Sequence, residues 1–434
     1  MPTVRMVLKE IPRIEGHLNL TIHVYEDGGI KVRAEAAEGV RILENILRGM
    51  DATDVPDITS RMCGVCHAIH KLTSLKAVEN ALNIELPEGL SDLRELLAIV
   101  GLLQSHVLHL FLFTLPDVLG KDSILELVKA DAGTVKNILY LKKLTNTLVR
   151  NLSGRSVHMI TPCIGGFTKI PSKNDFERAS RILNDFKETV KQSLERILSA
   201  EYPDLHVAVE NLALKDRNLP LLEGNIGDLQ GEVHPPEKYA SLIKPIAEDY
   251  STARHYVLKK NGGPYMVGAL ARLNVNKDNL PSEVKSLLRD LGLKLPSLNP
   301  FHNNLAQAVE LIYFAEKGIR LAEKLAEKPP KTARISFKRK KGSGVAVTEA
   351  PRGTLIHHYV LDEDGRVTEA NIVTPTAQNY KTIEKAVEKY VSLLLDKGVD
   401  NPLQLKNLVE KLVRSFDPCV SCSSRFLKQG KYVS

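Results

Sequence analysis

The sequence predicts an α+β protein: a central helical bundle flanked by small β-sheet segments from the two ends of the chain. Three observations carry this: a period-two hairpin pattern near the N-terminus, a second near residue 360, and long helical periods between them. Leu18, Leu20, Ile22 and Val24 alternate with polar neighbours, Asp27-Gly28-Gly29 offers a turn, and Ile30, Val32, Ala34 and Ala36 alternate again. Far downstream, Leu355 to Leu361 runs into Asp364-Gly365, and Val367, Ile372 and Val373 complete the second hairpin. The chain divides accordingly into an N-terminal β-hairpin segment (1–60), a mainly helical core (61–330) and a C-terminal β/α segment (331–434).

Within the core, helical periodicity begins near Cys66 and runs to Leu82. Asn174 is a candidate cap, with Glu177 three residues on, for an amphipathic helix ending at Leu198. Leu305 to Lys328 keeps a helical period and stops at Pro329-Pro330. Tyr380 to Leu395 and Pro402 to Phe416 predict two more helices, the second opened by Asn401 as cap and Pro402 in the first turn. Lys331 to Gly344, with Lys338-Arg339-Lys340-Lys341 and two glycines, reads as a solvated loop.

Composition is that of an ordinary globular protein, with 43% hydrophobic and 26% charged residues. A net charge of +7 over 434 residues is too small to imply a nucleic-acid partner. Ile99 to Gly120 is the most apolar stretch, but Gln104, Ser105, His106, His109 and Asp117 interrupt it at a high cost in lipid. It is expected to be a buried helix, with no membrane span. Met1 to Glu10 lacks the apolar run of a secretory signal; the chain is expected to be soluble, and its cysteine usage points to a reducing compartment.

Five cysteines is an odd count, and a chain this long needs no disulfide framework. Cys63 and Cys66 form one C-x-x-C pair, Cys419 and Cys422 another, and Cys163 stands alone. A helix starting near Cys66 would favour thiolate over thiol there and place His70 one turn on, along the same face. Pro418 ends the preceding helix and presents the second pair from irregular chain. The spacing leaves three chemistries open: a structural zinc site, a redox dithiol and a soft thiolate cage for nickel or iron. Zinc ribbons draw their pairs from nearby sequence, whereas these lie at opposite ends, and a thioredoxin-like dithiol would need a βαβ context that is absent.

The surrounding residues resemble the large subunit of nickel-iron hydrogenases at several separate places. Arg13-Ile14-Glu15-Gly16-His17 is similar to that family's N-terminal motif, and Arg61 to His70 fits its R-x-C-G-x-C-x-x-x-H pattern. Gly154-Arg155-Ser156-Val157-His158 with Gly165-Gly166-Phe167 resembles its central motif. Pro351-Arg352-Gly353, Pro375-Thr376 and Asp417-Pro418-Cys419-Val420-Ser421-Cys422 resemble its C-terminal segments. The matches occur in family order and span residues 13 to 425.

The resemblance implies a nickel held by Cys63, Cys66, Cys419 and Cys422, with Cys66 and Cys422 bridging to an iron that carries carbon monoxide and cyanide. It implies Cys419 as first proton acceptor and Glu15 as the next carrier, against a plain ion pair with an arginine for Glu15. Arg352 and Thr376 would contact the cyanides, with Pro351 and Pro375 alongside, and His70 would donate to a thiolate sulfur. His106, His109 and Asp117 either border the site or make core hydrogen bonds.

Glu44 and the carbonyl of Ile372 would hold a second metal, magnesium. Arg425 stands where a histidine ligand is common, so that site departs from the family pattern, and Glu44 could pair with the guanidinium instead. A short tail, Phe426 to Ser434, is either cleaved in maturation or permanent. Cys163 alone cannot hold an iron–sulfur relay. The implied partners are therefore an iron–sulfur small subunit, further electron-transfer subunits, the maturation proteins, dihydrogen and protons. The Ser105-His106…His109…Pro116-Asp117 run resembles the cytosolic, cofactor-coupled type. A membrane-bound, energy-converting complex and a zinc-binding structural subunit are the rival functions.

Overall fold

A computed structural model describes residues 4–39 and 42–424. The N-terminal segment is a three-stranded antiparallel sheet of Val4–Leu8 (β1), Leu18–Val24 (β2) and Ile30–Ala36 (β3). The predicted hairpin is β2–β3, with Leu18 opposite Ala36 and Val24 opposite Ile30. Strand β1 escaped the sequence reading because its apolar residues Val4 and Val7 are exposed, which leaves no alternation to detect.

Helix α1 (His67–Leu82) starts directly after Cys66, as its periodicity predicts, and ends at Asn83 in the left-handed conformation. Helix α2 (Glu88–Val107) runs on through a π-helical segment, Leu108–Thr114, into Leu115–Val118. This stretch is long and apolar enough to cross a membrane, but 83% of its most apolar window is buried inside the protein. Helices α3 (Ala132–Ser153), α4 (Lys173–Leu198), α5 (Ala269–Val275) and α6 (Asn303–Glu327) complete the bundle. The cap of α4 is Ser172, which forms a reciprocal capping box with Asp175; Asn174 lies inside the first turn.

Between α4 and α5, where the sequence reads as mainly helical, short strands such as Ile243–Ala247 and Arg254–Leu258 pair with one another. Their brevity hides the period-two signal.

The C-terminal sheet has the order β4 (Gly342–Ala350), β5 (Gly353–Leu361), β6 (Val367–Val373). Its first strand begins inside the segment predicted as loop. The misleading residues are Gly342 and Gly344. A Cβ on Gly342 would lie 2.0 Å from the Ala81 carbonyl oxygen, and one on Gly344 2.1 Å from that of Ala77. These glycines allow the sheet to press onto the α1 backbone, rather than breaking a strand.

Helix α7 (Pro375–Asp396) starts five residues before its predicted onset, with Pro375 in its first turn. Helix α8 (Pro402–Ser415) is capped as predicted, the Asn401 side chain accepting from the Leu403 and Gln404 amides. One hydrophobic cluster runs from Leu8 to Cys422, so all three chain segments contribute to a shared core.

Candidate metal centre

The two cysteine pairs meet in the interior. The four sulfurs lie within 4.8 Å of one another, all buried, although the pairs are some 350 residues apart in sequence. Cys63 and Cys419 are 3.4 Å apart, Cys66 and Cys422 3.1 Å, and Cys419 and Cys422 3.0 Å. No disulfide joins them.

Local sequence explains the presentation. Cys63 and Cys66 flank the loop between the helix Val55–Ser60 and the start of α1, and the Val65 amide points at the Cys63 sulfur, 3.2 Å away. After α8 the chain turns sharply at Asp417 (φ 50), and Val420–Ser423 forms a single helical turn. The Val420 amide donates to the Glu15 carbonyl at 2.9 Å, joining the second pair to the N-terminal motif.

Such a cage strongly favours a cation. Burial pushes the Cys419 and Cys422 thiols well above their ordinary range, whereas hydrogen bonds from Cys419, Cys422 and Cys66 hold Cys63 well below it. Four soft donors at this spacing suit nickel, iron or zinc.

Glu15 sits against the cage. Its carboxylate accepts from the Cys419 sulfur at 3.1 Å, from the Ser421 amide at 3.2 Å and from the Ser421 hydroxyl. Burial, then the charge of Cys63, raises its pKa above the usual carboxylate value. Among the described residues it makes no ion pair within 4.0 Å, so the arginine-bridge alternative has no support.

Pro351 and Arg352 form the two-residue turn between β4 and β5, with Ala350 opposite Gly353. Arg352 is 3% exposed; its Nε donates to the Asp417 carbonyl at 2.6 Å, Nη2 to Asp417 Oδ1 at 2.9 Å and Nη1 to Ser105 Oγ at 3.3 Å. That uses three of a guanidinium's five N–H groups and leaves one on each terminal nitrogen. The Thr376 hydroxyl, in the first turn of α7 beside Pro375, accepts from the Cys419 amide at 2.9 Å and keeps its own proton to donate.

His70 is buried one turn from Cys66, with its Nδ1 3.3 Å from His357 Nε2. His106, His109 and Asp117 belong to a hydrogen-bonded interior framework. His106 meets Glu310 at 2.8 Å, His109 meets Gln307 at 2.6 Å and the Arg414 carbonyl at 2.7 Å, and Asp117 pairs with Arg13 and Arg414.

Glu44 and Ile372 are also brought together, but through the Ile372 amide, which donates to Glu44 Oε1 at 2.9 Å. The other carboxylate oxygen lies 3.7 Å from Arg254. A carboxylate bonded to an amide and flanked by a guanidinium is a poor seat for a divalent cation, so these residues do not fit magnesium. Arg425 and the tail Phe426 to Ser434 lie outside the described residues.

Sequence reasoning missed Ser105 and Ser421 as contributors, although Ser421 lies inside the second pair. It also missed Arg272, Gln307 and Glu310, which have no local motif and become visible only through their buried partners.

Fold and site together define a protein with a buried four-thiol cage able to hold a metal, a carboxyl hydrogen-bonded to one sulfur and a buried guanidinium held by Asp417 and Ser105. Comparison with known proteins then gives the family. The nickel-dependent hydrogenase profile matches residues 41–146 and 236–425. Sulfhydrogenase 1 subunit alpha of Pyrococcus furiosus is 36% identical over 424 residues, covering 96% of this chain and 97% of its own. Sulfhydrogenase 2 subunit alpha of the same organism is 34% identical over 424 residues, covering 97% and 99%. The fold matches a crystal structure of an NAD+-reducing [NiFe]-hydrogenase in the H2-reduced state, with a TM-score of 0.88 at 24% identity, over 98% of this chain and all of that one. The chain belongs to the nickel-dependent hydrogenase family.

Proposed function

We propose that this chain is the catalytic subunit of a nickel-iron hydrogenase, cleaving dihydrogen reversibly into two protons and two electrons. The observation that carries the reading is the convergence of four buried thiols from both ends of the chain with a protonatable Glu15 against one of them. Membership of a nickel-dependent family favours nickel over zinc for this donor set.

In this reading Cys63, Cys66, Cys419 and Cys422 would hold nickel, and the resemblance assigns Cys66 and Cys422 as the two that iron would share. When bound, the centre supplies a polarising site for dihydrogen and accepts its electrons. The Cys419 sulfur takes the first proton and passes it to the Glu15 carboxyl, 3.1 Å away, whose pKa burial raises above the ordinary carboxylate value.

The remaining N–H groups of Arg352 and the Thr376 hydroxyl proton would be donors for the nitrogen ends of cyanides on iron, with Pro351 and Pro375 preceding them in the chain. His70 supports the thiolates from α1. The carbon monoxide and cyanide would be installed by maturation proteins. Electrons leave through an iron–sulfur partner subunit and further electron-transfer subunits, since Cys163 alone cannot hold a cluster. The exposed Val157 and Ile160 flank His158, whose ring lies 5.6 Å from that of His67, next to Cys66. That places an apolar surface close to the cage, where a partner would dock. The cytoplasm is the location this assembly fits.

Infrared spectroscopy of the matured, nickel-loaded complex tests the reading. Carbonyl and cyanide stretches are expected with nickel and iron in equal amount. Folded, nickel-loaded protein without those stretches would refute it.

A further inference from the structure

The most completely engaged side chain in the interior is not a cage residue. Arg272, on the short helix α5, is 1% exposed, and all five of its N–H groups are used. Its Nε and Nη2 bind the two carboxylate oxygens of Glu310, at 2.6 and 2.7 Å, and Nη1 binds Glu349 Oε2 at 2.9 Å. The two remaining donors reach the Ala350 carbonyl at 2.9 Å and the Pro351 carbonyl at 3.1 Å. Those carbonyls immediately precede Arg352.

Both carboxylates are fixed from their other sides. Glu310 Oε2 also meets His106 at 2.8 Å, and Glu349 Oε1 accepts from the Leu214 amide at 2.7 Å and the Thr354 hydroxyl at 3.0 Å. One turn earlier on α6, Gln307 donates to Asp417 Oδ2 at 3.1 Å, and Asp417 is the residue that grips the Arg352 guanidinium. A single face of α6 therefore holds the backbone of the Arg352 turn through Arg272, and the tip of Arg352 through Asp417.

Left to itself, the turn is poorly held. It has two residues, one of them a proline without an N–H, and its next residue, Gly353, has φ +125. Interior burial of a fully charged network is costly, and stability alone is a weak reason for it. Two carbonyl contacts on the residues before Arg352 give it a specific task.

We propose that Arg272 is a positioning residue of the metal centre: seated on Glu310 and Glu349, it clamps the Ala350 and Pro351 carbonyls and so aims Arg352 at the cage. The proposal rests on the reading that Arg352 faces the ligands on iron. Arg272→Lys keeps the charge but has three N–H donors, which cannot span two carboxylates and two carbonyls together. Glu349→Gln keeps the shape but turns an amide toward Arg272, loosening the clamp without removing it.

The test is a double-variant cycle in the matured complex, combining Arg272→Lys with Arg352→Lys. Readouts are the cyanide stretching frequencies, the hydrogen-oxidation rate and KM for hydrogen. The expected result is a shift in the cyanide stretches in Arg272→Lys with a rate loss of about 10-fold or more, the usual scale for a supporting residue around a metal. In the Arg352→Lys background the same change should produce no further loss, because its effect runs through Arg352. Should Arg272→Lys fail to assemble, Glu349→Gln takes its place in the cycle, with the same non-additive pattern expected at smaller amplitude.

Losses that simply multiply in the double variant, or cyanide stretches left unmoved, would overturn the proposal and leave Arg272 a structural ion pair. Unchanged stretches in Arg352→Lys alone would instead refute the placement of Arg352 on which the proposal stands.

Discussion

Replacing Glu15 by glutamine separates proton transport from every other property of the centre. The carboxylate has three donors around it: the Cys419 sulfur and Ser421 amide on Oε2, and the Ser421 hydroxyl on Oε1. A glutamine oxygen at the Oε2 position accepts the first two unchanged. Its NH2 group then faces the Ser421 hydroxyl, which can rotate to accept. The exchange therefore costs about 1 kcal/mol of stability or less, the net value of one rearranged hydrogen bond. Chemically the loss is complete, because an amide does not take up the proton that the raised pKa of Glu15 equips it to carry. Removal of a positioned acid–base group costs about 100- to 10,000-fold. The assay is dihydrogen exchange with deuterated water by mass spectrometry, with nickel and iron content and the infrared bands as controls. Glu15→Gln should keep metals and bands while exchange falls by at least two orders of magnitude. Exchange within a few-fold of the unaltered enzyme, in fully metallated protein, would remove Glu15 from the proton route.

His255 makes the fold sensitive to acid. It is fully buried, stacked on Tyr380 at 4.5 Å with neither ring nitrogen hydrogen-bonded among the described residues, and burial followed by the charge of Lys381 lowers its pKa to about 3. Its contribution is present above the unfolded value of 6.5 and is lost as pH falls toward 3, up to roughly 5 kcal/mol at the acid limit. His255→Phe keeps the stacking and should flatten the stability profile between pH 6.5 and 4; parallel denaturation profiles for the two proteins would contradict this. Gly353→Ala should destabilise by about 3 kcal/mol or more and impair metal loading, since φ is +125 and the new Cβ would lie 2.6 Å from the Gly268 nitrogen. Chemical denaturation measures it, and a variant as stable as the parent would show that the turn can relax. Elemental analysis of the mature enzyme should return nickel and iron but no stoichiometric magnesium, given the Arg254 guanidinium beside Glu44. One magnesium per chain, retained through dialysis, would show that Arg254 yields to a cation.

The two cysteine pairs that converge, the α+β class and the order of the main elements were all readable from the chain. These rest on short-range signals: the two C-x-x-C pairs, the β2–β3 alternation, the Asn401-Pro402 start of α8 and the onset of α1 at Cys66. Glu15, Arg352 and Thr376 were singled out only by resemblance, since no local pattern says what a lone carboxyl or guanidinium faces. Tertiary structure alone decided the rest. Gly342 and Gly344 read as loop until the α1 backbone lies against them, and β1 has no inward alternation to read. The pairing of Glu44 with Arg254, and the seating of Arg272 on Glu310 and Glu349, join residues 38 to 210 positions apart. Charge pairing, close backbone approach and burial depend on distance in space, and periodicity along a chain carries no record of it until the core has closed.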